Sequence, residues 1–458
     1  MTKSHITDFE MSDSLRQRAH NRIPGGCHTY AKGDDQYPVL SPGFIAQGSG
    51  SHVWDVDGNE FIEYGMGNRA VGLGHAYPPV IEAAAEALLW GSNFTRPARI
   101  ELDCAETFLE TIPGAEMVKF CKNGSDATSG AVRLARAYTG RDMIACCADH
   151  PFFSSDDWFI GTTPVNSGVP EAVRSLTATF RYNDLASVQD LFDRHPGRIA
   201  AVILEAARAE EPLDGFLTRL QKICHANGAL LILDEMITGF RWHSGGAQAL
   251  YEITPDLSCF GKALANGFSV SALAGKREYM RLGGIEQTDR PRVFLLSTTH
   301  GAETHALAAA IATMRIYQNE PVIEHLDRQG RLLARGFREA ARRNRVEDFV
   351  QVTGRPCCLT YLTLDRSFRQ SQAFRTLFLQ ETIARGILMP SLVVSYTHTD
   401  RDIEKTVEAI DEALAIYARA LDEGVERHLV GRASEVVYRR FNHAPPPEHV
   451  AASGAFAR

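Results

Sequence analysis

Lys262 stands in the run Cys259-Phe-Gly-Lys-Ala-Leu-Ala-Asn-Gly267, 28 residues (262 − 234) after the acidic end of Leu230-Leu-Ile-Leu-Asp-Glu235. A lysine in a loop of small residues can bond an aldehyde as a Schiff base. A carboxylate at the C-terminal end of an apolar strand can pair with a protonated ring nitrogen. These are the two groups that pyridoxal phosphate (PLP) requires of a protein. Asp234 would keep the ring protonated so that it draws electrons, and Lys262 would hold the aldehyde and later move a proton. Taken singly, each residue also has a plainer reading: a strand end, and a solvated lysine.

A phosphate needs its own cradle. Met117-Val-Lys-Phe-Cys121 reads as a strand, Lys122-Asn-Gly-Ser-Asp126 as a turn, and Ala127 to Tyr138 as a helix closed by Gly140. Strand, Gly-Ser turn and helix start make an anion site, because the first N–H groups and the positive helix end face outward. The plainer reading is a Ser or Asp helix cap.

The elements that must hold these groups follow from the hydrophobic pattern. Val53 to Tyr64 alternates around Asp57-Gly58 and predicts a hairpin. Val202-Ile-Leu-Glu205 and Leu230-Leu-Ile-Leu233 are unbroken apolar runs, as strands covered on both faces require. Between them, Gly215 to Asn227 predicts an amphipathic helix ended by Gly228, so the unit is βαβ and the sheet parallel. Asp402 to Ala420 predicts a further amphipathic helix. The expected division is an N-terminal segment over 1–75, a large cofactor domain over 76–325, a small C-terminal domain over 326–440 and a loose tail over 441–458.

Composition excludes several classes. The 458 residues are 44% hydrophobic and 23% charged, with a net charge of −8 and no basic block. A phosphate-neutralising face for nucleic acid is therefore not expected. No apolar run reaches the roughly 18 residues that would span a bilayer. The N-terminus has no apolar signal core, so a cytoplasmic protein is expected. The nine cysteines include the adjacent pairs Cys146-Cys147 and Cys357-Cys358 but no CxxC. That spacing suits neither disulfides nor a metal site and predicts buried free thiols.

The motifs together resemble class III aminotransferases. Asn123-Gly-Ser-Asp-Ala127 with Arg133 to Arg141, Leu233-Asp-Glu-Met-Ile-Thr-Gly-Phe-Arg241 and Gly261-Lys-Ala-Leu-Ala-Asn-Gly267 carry the resemblance. Ile23-Pro-Gly-Gly26, Trp54 to Gly58, Gly72-Leu-Gly-His75 and Tyr396-Thr-His-Thr-Asp400 extend it over about residues 20 to 420, with most likeness to the glutamate-1-semialdehyde 2,1-aminomutase subgroup. The resemblance implies an α/β chain of PLP fold type I: a large domain with a mostly parallel sheet between helices, and a smaller α+β domain. It implies a homodimer with shared active sites. It assigns the aldehyde to Lys262, the ring nitrogen to Asp234, the phosphate to Gly124 and Ser125, the ring face to Phe152 and the neighbourhood of the ring hydroxyl to Glu205. Thr299 would reach the phosphate held by the neighbouring subunit.

Three departures bear on substrate. Where the aminomutase carries a carboxylate-binding Arg, this chain has Lys32, a point charge without a bidentate fork. Its aromatic after the hairpin is Asn68 here, followed by Arg69. The late segment Pro390-Ser-Leu-Val-Val-Ser-Tyr396 has no gating acid. Lys32 and Arg69 are therefore candidate substrate residues. The expected function is a two-substrate PLP-dependent transaminase that moves an amino group from an amino donor to a small aldehyde or ketone. The rivals are an intramolecular aminomutase and a non-catalytic PLP-binding protein. His28 to Gln36 and Asp156 to Thr163 are similar to a subset found in surface-glycan or secondary-metabolite gene sets, which points to a small phosphorylated or sugar-derived acceptor.

Overall fold

The alternating run at the N-terminus folds into three antiparallel strands in a computed structural model that describes residues 5–442. These are β1 (Ile45–Ser49), β2 (His52–Asp55) and β3 (Glu60–Glu63). The β2–β3 turn is held by Asp55, whose Oδ1 accepts the N–H of Asp57 at 3.0 Å and of Asn59 at 2.7 Å. Gly58, at φ 85°, takes the position that a side chain would strain.

Seven strands build the central sheet. They are β4 (Met117–Cys121), β5 (Met143–Cys147), β6 (Thr177–Phe180), β7 (Ile199–Glu205), β8 (Leu230–Asp234), β9 (Leu257–Phe260) and β10 (Ser271–Gly275), in the spatial order β4-β10-β9-β8-β7-β5-β6. Strands β5 to β9 are parallel, and β10 runs antiparallel to β9 and β4. Every residue of β7, β8, β9 and β10 is buried, which is why their sequences are continuous apolar runs. The predicted helix between β7 and β8 is present as Phe216–Ala226.

The helix after β4 begins earlier than its apolar stripe suggests. It spans Gly124–Thr139, because Asn123 caps it by accepting the N–H of Asp126 at 3.1 Å, and Gly140 ends it in the left-handed conformation. The turn expected at Lys122–Asp126 is thus partly the first turn of the helix.

Toward the C-terminus, β11 (Val350–Thr353), β12 (Cys358–Thr363) and β14 (Leu392–Val393) form a small antiparallel sheet. Helices Val322–Arg343, Gln372–Ile383 and Asp400–Glu423 pack around it. The two-residue β13 (Ile387–Leu388) instead joins β3 in parallel and ties this region to the N-terminal sheet. All nine cysteines are free; seven are buried, while Cys27 and Cys358 are half-buried, a departure from the expectation of uniform burial. Most of the expected loose tail, from residue 443 on, lies outside the described residues.

Candidate active site

The chain passes from β5 outward to β6 and then returns to β7 on the other side of β5. At such a reversal the loops at the carboxyl ends leave in opposite directions and open a crevice. His150, just past β5, and Glu205, the last residue of β7, meet there: the N–H of Glu205 donates to His150 Nδ1 at 3.1 Å. Burial, then the charge of Arg208, pushes the His150 pKa down to about 3. The ring is therefore neutral, and with Nδ1 accepting, Nε2 carries the proton.

Parallel register sets the next two groups. Glu205 lies beside Asp234, and Asp234 beside Cys259, at the ends of β7, β8 and β9. Lys262 follows β9 directly. Glu205 and Asp234 are both buried. Burial, then the neighbouring Glu205, raises the Asp234 pKa, although the N–H of Met236 donates to its Oδ1 at 2.9 Å. Burial likewise raises Glu205. Lys262 is half-buried, and among the described residues no hydrogen bond engages its amine. Desolvation lowers its pKa, with Arg69 and Arg208 pushing the same way and Asp234 and Glu205 opposing. The result is an amine biased toward its free, nucleophilic form.

The backbone at the lysine is unusual. Lys262 has φ 46°, a left-handed conformation that costs a non-glycine residue on the order of 1–3 kcal/mol. Asn266 holds the loop from the other side. Its Oδ1 accepts the N–H of Leu73 at 2.9 Å and its Nδ2 donates to the carbonyl of Gly74 at 3.0 Å.

The phosphate turn abuts the same loop. A Cβ built at Gly124 would lie 2.9 Å from Met236 Sδ, and one at Gly261 would lie 2.7 Å from that sulfur and 2.5 Å from Ser271 Oγ. Met236, two residues past Asp234, therefore fills the space between turn and lysine loop, and neither glycine can carry a side chain without displacement. The first N–H groups of the Gly124–Thr139 helix have no acceptor within the helix. Ser125 Oγ accepts the N–H of Ser155 at 2.9 Å, which fastens the 150–156 loop over the turn. Phe152, in that loop, is 46% exposed and packs edge-on to Phe159 at 5.7 Å between ring centres.

Glu205 and Asp234 thus end adjacent strands, and the Lys262 loop follows the next one. Arg69 acts electrostatically on both Lys262 and Glu205. Lys32 does not join them: it is exposed on the 3-10 turn Tyr30–Lys32 and has no side-chain contact among the described residues. Thr299 is exposed in a separate cavity of about 550 Å³ lined by Asn93, Lys119, Phe120 and Thr298 among others. Three site residues escaped the sequence reading. His150 had no signal beyond standing two residues before Phe152. Arg208 and Arg241 had as their only signal a basic residue just past a strand end and a motif end.

The residues present fit PLP. An amine whose pKa burial lowers, a buried carboxylate one strand away, a glycine-shaped helix start and a Glu205 Oε2 that is buried without a partner among the described residues are the donor set its aldehyde, ring and phosphate call for.

Comparisons with known proteins agree. A family model described as aminotransferase class-III matches residues 30–414. A glutamate-1-semialdehyde 2,1-aminomutase of Desulforamulus reducens is 35% identical over 433 residues, covering 90% of this chain and 99% of that protein. Among solved structures, the Sphingopyxis sp. MTA144 FumI protein in its PLP internal aldimine form superposes with a TM-score of 0.81 at 30% identity, covering 90% of this chain and 97% of that one. An omega-transaminase from Sphaerobacter thermophilus gives a TM-score of 0.79 at 28% identity, covering 89% and 98%. Among the described residues no helix is long and apolar enough to cross a membrane. The chain belongs to the class III aminotransferases and is a PLP-dependent enzyme of transaminase type.

Proposed function

We propose that the protein transfers an amino group between two separate substrates, an amino donor and a small aldehyde or ketone, as a homodimer. The observation that carries this reading is the Lys262 amine, biased to its free form between the strand-end carboxylates Asp234 and Glu205. Bound PLP supplies an aldehyde for that amine and a protonatable ring that draws electrons from the bond to be broken.

The chain's own groups do the rest. Asp234 holds the proton on the ring nitrogen. The N–H groups of Gly124 and Ser125 bind the phosphate, Thr299 reaches the phosphate held by the partner subunit, and Phe152 covers one ring face. The Lys262 amine would carry a proton from the donor's α-carbon to the cofactor in the first half-reaction, and from the cofactor to the acceptor's carbon in the second.

The relatives named as aminomutases keep a second reading in play, intramolecular amino transfer. The segment where a gating acid would stand argues against it. Ser391 to Ser395 is buried and pinned to the N-terminal sheet, with the N–H of Val393 donating to the Tyr64 carbonyl at 3.0 Å. The experiment is a screen of nitrogen-15-labelled amino donors against carbonyl acceptors, read by mass spectrometry. Label in a separate acceptor is expected. Isomerisation of glutamate-1-semialdehyde with no label transfer would replace this reading by the second.

Two substitutions test the roles. Lys262→Ala should retain some PLP but lose both the visible absorbance of the lysine-bound cofactor and all amino transfer; turnover at the wild-type rate would sink the assignment. Asp234→Asn should bind PLP yet slow each half-reaction by orders of magnitude. A change under about threefold in stopped flow, well below 1 kcal/mol of barrier, would remove Asp234 from the chemistry.

A further inference from the structure

Arg208 lies three residues beyond Glu205 and turns back toward it. Its Nη1 is 3.5 Å from Glu205 Oε1, the far limit of a hydrogen bond, while its side chain remains 29% exposed. Among the described residues no other acceptor touches this guanidinium. Most of a five-donor fork therefore stays open within the crevice.

Arg69 is in a similar condition. Its Nε is buried without a partner, and no carboxylate pairs with its guanidinium among the described residues. Its backbone, unlike its side chain, is fixed. Arg241, fully buried, donates from Nη2 to the Arg69 carbonyl at 2.8 Å. Met66 to Arg69 are all left-handed, with φ from 44° to 71°, so the turn is held in a conformation that it would not take unaided.

Both guanidinium groups act on the same two targets, the Lys262 amine and Glu205. The acids nearest them do not cancel the charge. Asp234 has its pKa raised and would pair with the cofactor's ring nitrogen, and Glu205 has its pKa raised and offers Arg208 one long contact. Open, unneutralised N–H forks beside a reactive amine are a receptor for an oxyanion.

We infer that Arg208 and Arg69 together form the subsite for a negatively charged oxygen group of the substrate, with Arg208 supplying the fork and Arg241 serving as a positioning residue for Arg69. This rests on the transaminase reading. Lys32, exposed and without contact to the cluster, is not part of the subsite. The shared chemistry is an oxyanion, which a carboxylate or a phosphate ester would each supply.

The test uses the holoenzyme. Acetate, succinate and inorganic phosphate are titrated while the visible absorbance of the lysine-bound cofactor is followed, in wild type, Arg208→Gln and Arg208→Lys. Half-reaction rates are measured with L-alanine, phosphoethanolamine and the uncharged-tail amine ethylamine. Arg208→Gln should weaken anion binding, and raise the half-saturation of the anionic donor, by about tenfold or more. Arg208→Lys should recover part of it, since the charge returns without the fork. The loss should be larger for the anionic donors than for ethylamine, whereas a merely structural partnership with Glu205 would slow all three amines alike. A shift confined to acetate, succinate and alanine assigns the subsite to carboxylates; one confined to phosphate and phosphoethanolamine assigns it to phosphate esters. Equal anion affinities in wild type and Arg208→Gln, or no anion binding by the wild type, would overturn the inference. Absence of the cofactor absorbance in the wild type would instead overturn the reading beneath it.

Discussion

At Asp234 two needs compete. The carboxyl is placed in the core so that it can meet a cation, and without that cation it is destabilised as a charge by burial and by Glu205. Its folded pKa is raised above the unfolded value of about 3.9. As pH rises past that unfolded value, the unfolded chain gives up its proton first. The folded, cofactor-free protein then holds more protons and loses stability until its own raised pKa is passed. Lys262 has the opposite sign: its folded pKa is lowered, so the unfolded chain holds more protons and stability rises with pH toward the unfolded value of about 10.4. Melting temperatures of cofactor-free protein between pH 4 and 8 should therefore fall less steeply with pH in Asp234→Asn than in wild type. Parallel curves for the two would mean that the carboxyl is not strained in the empty core.

At the scale of elements, the sequence was most readable in the strands of the central sheet. Met117–Cys121 was assigned end to end, and Val202–Glu205 and Leu230–Leu233 fell inside β7 and β8. The helix expected over Asp402–Ala420 runs from Asp400 to Glu423, because Thr399 and Asp402 cap it reciprocally. What stayed hidden depends on distant partners. The two-residue β13 pairs with Ile62 and Glu63, and two residues carry no periodicity. The His150 contact joins Glu205 across 55 positions. Of the left-handed turn at Met66–Arg69, only Gly67 advertises itself. Close approach of elements is likewise invisible until built. In helix Val322–Arg343, a Cβ at Gly330 would sit 1.8 Å from the carbonyl oxygen of Pro356. Gly330→Ala should cost about 1–3 kcal/mol by overpacking. Calorimetry would show it as a clear drop in Tm, and an unchanged Tm would mean that the 354–357 loop yields freely.

The whole molecule leaves one side unfinished. Leu88, Leu89, Trp90, Phe94 and Leu102 are all more than half exposed, Leu89 at 83% and Trp90 at 79%. They lie at the end of helix Pro78–Leu88, in the loop that follows and on helix Arg99–Thr111, and Phe94 borders the cavity that holds Thr299. Large apolar side chains left open in this way are the mark of an association surface. In the proposed homodimer it is covered by the second copy, so Trp90→Asp should shift sedimentation at micromolar concentration from dimer toward monomer and lower amino transfer with it. PLP should oppose the shift, since a ligand that binds only the assembled form stabilises it by mass action. A wild type that sediments as a monomer with PLP bound would contradict the assembly.

The buried thiols have a practical meaning. Alkylating reagents attack the thiolate, and burial pushes Cys104, Cys146 and Cys147 up to about 12. While the fold is closed, iodoacetamide can reach only Cys27 and Cys358, the two half-buried sulfurs. The other seven are spread through β4, β5, β9, two helices and the loop before β12. Each becomes a timestamp for its own region. Peptide mass spectrometry after pulses of reagent in rising denaturant would record the order in which the layers open, with no residue substituted to carry a probe.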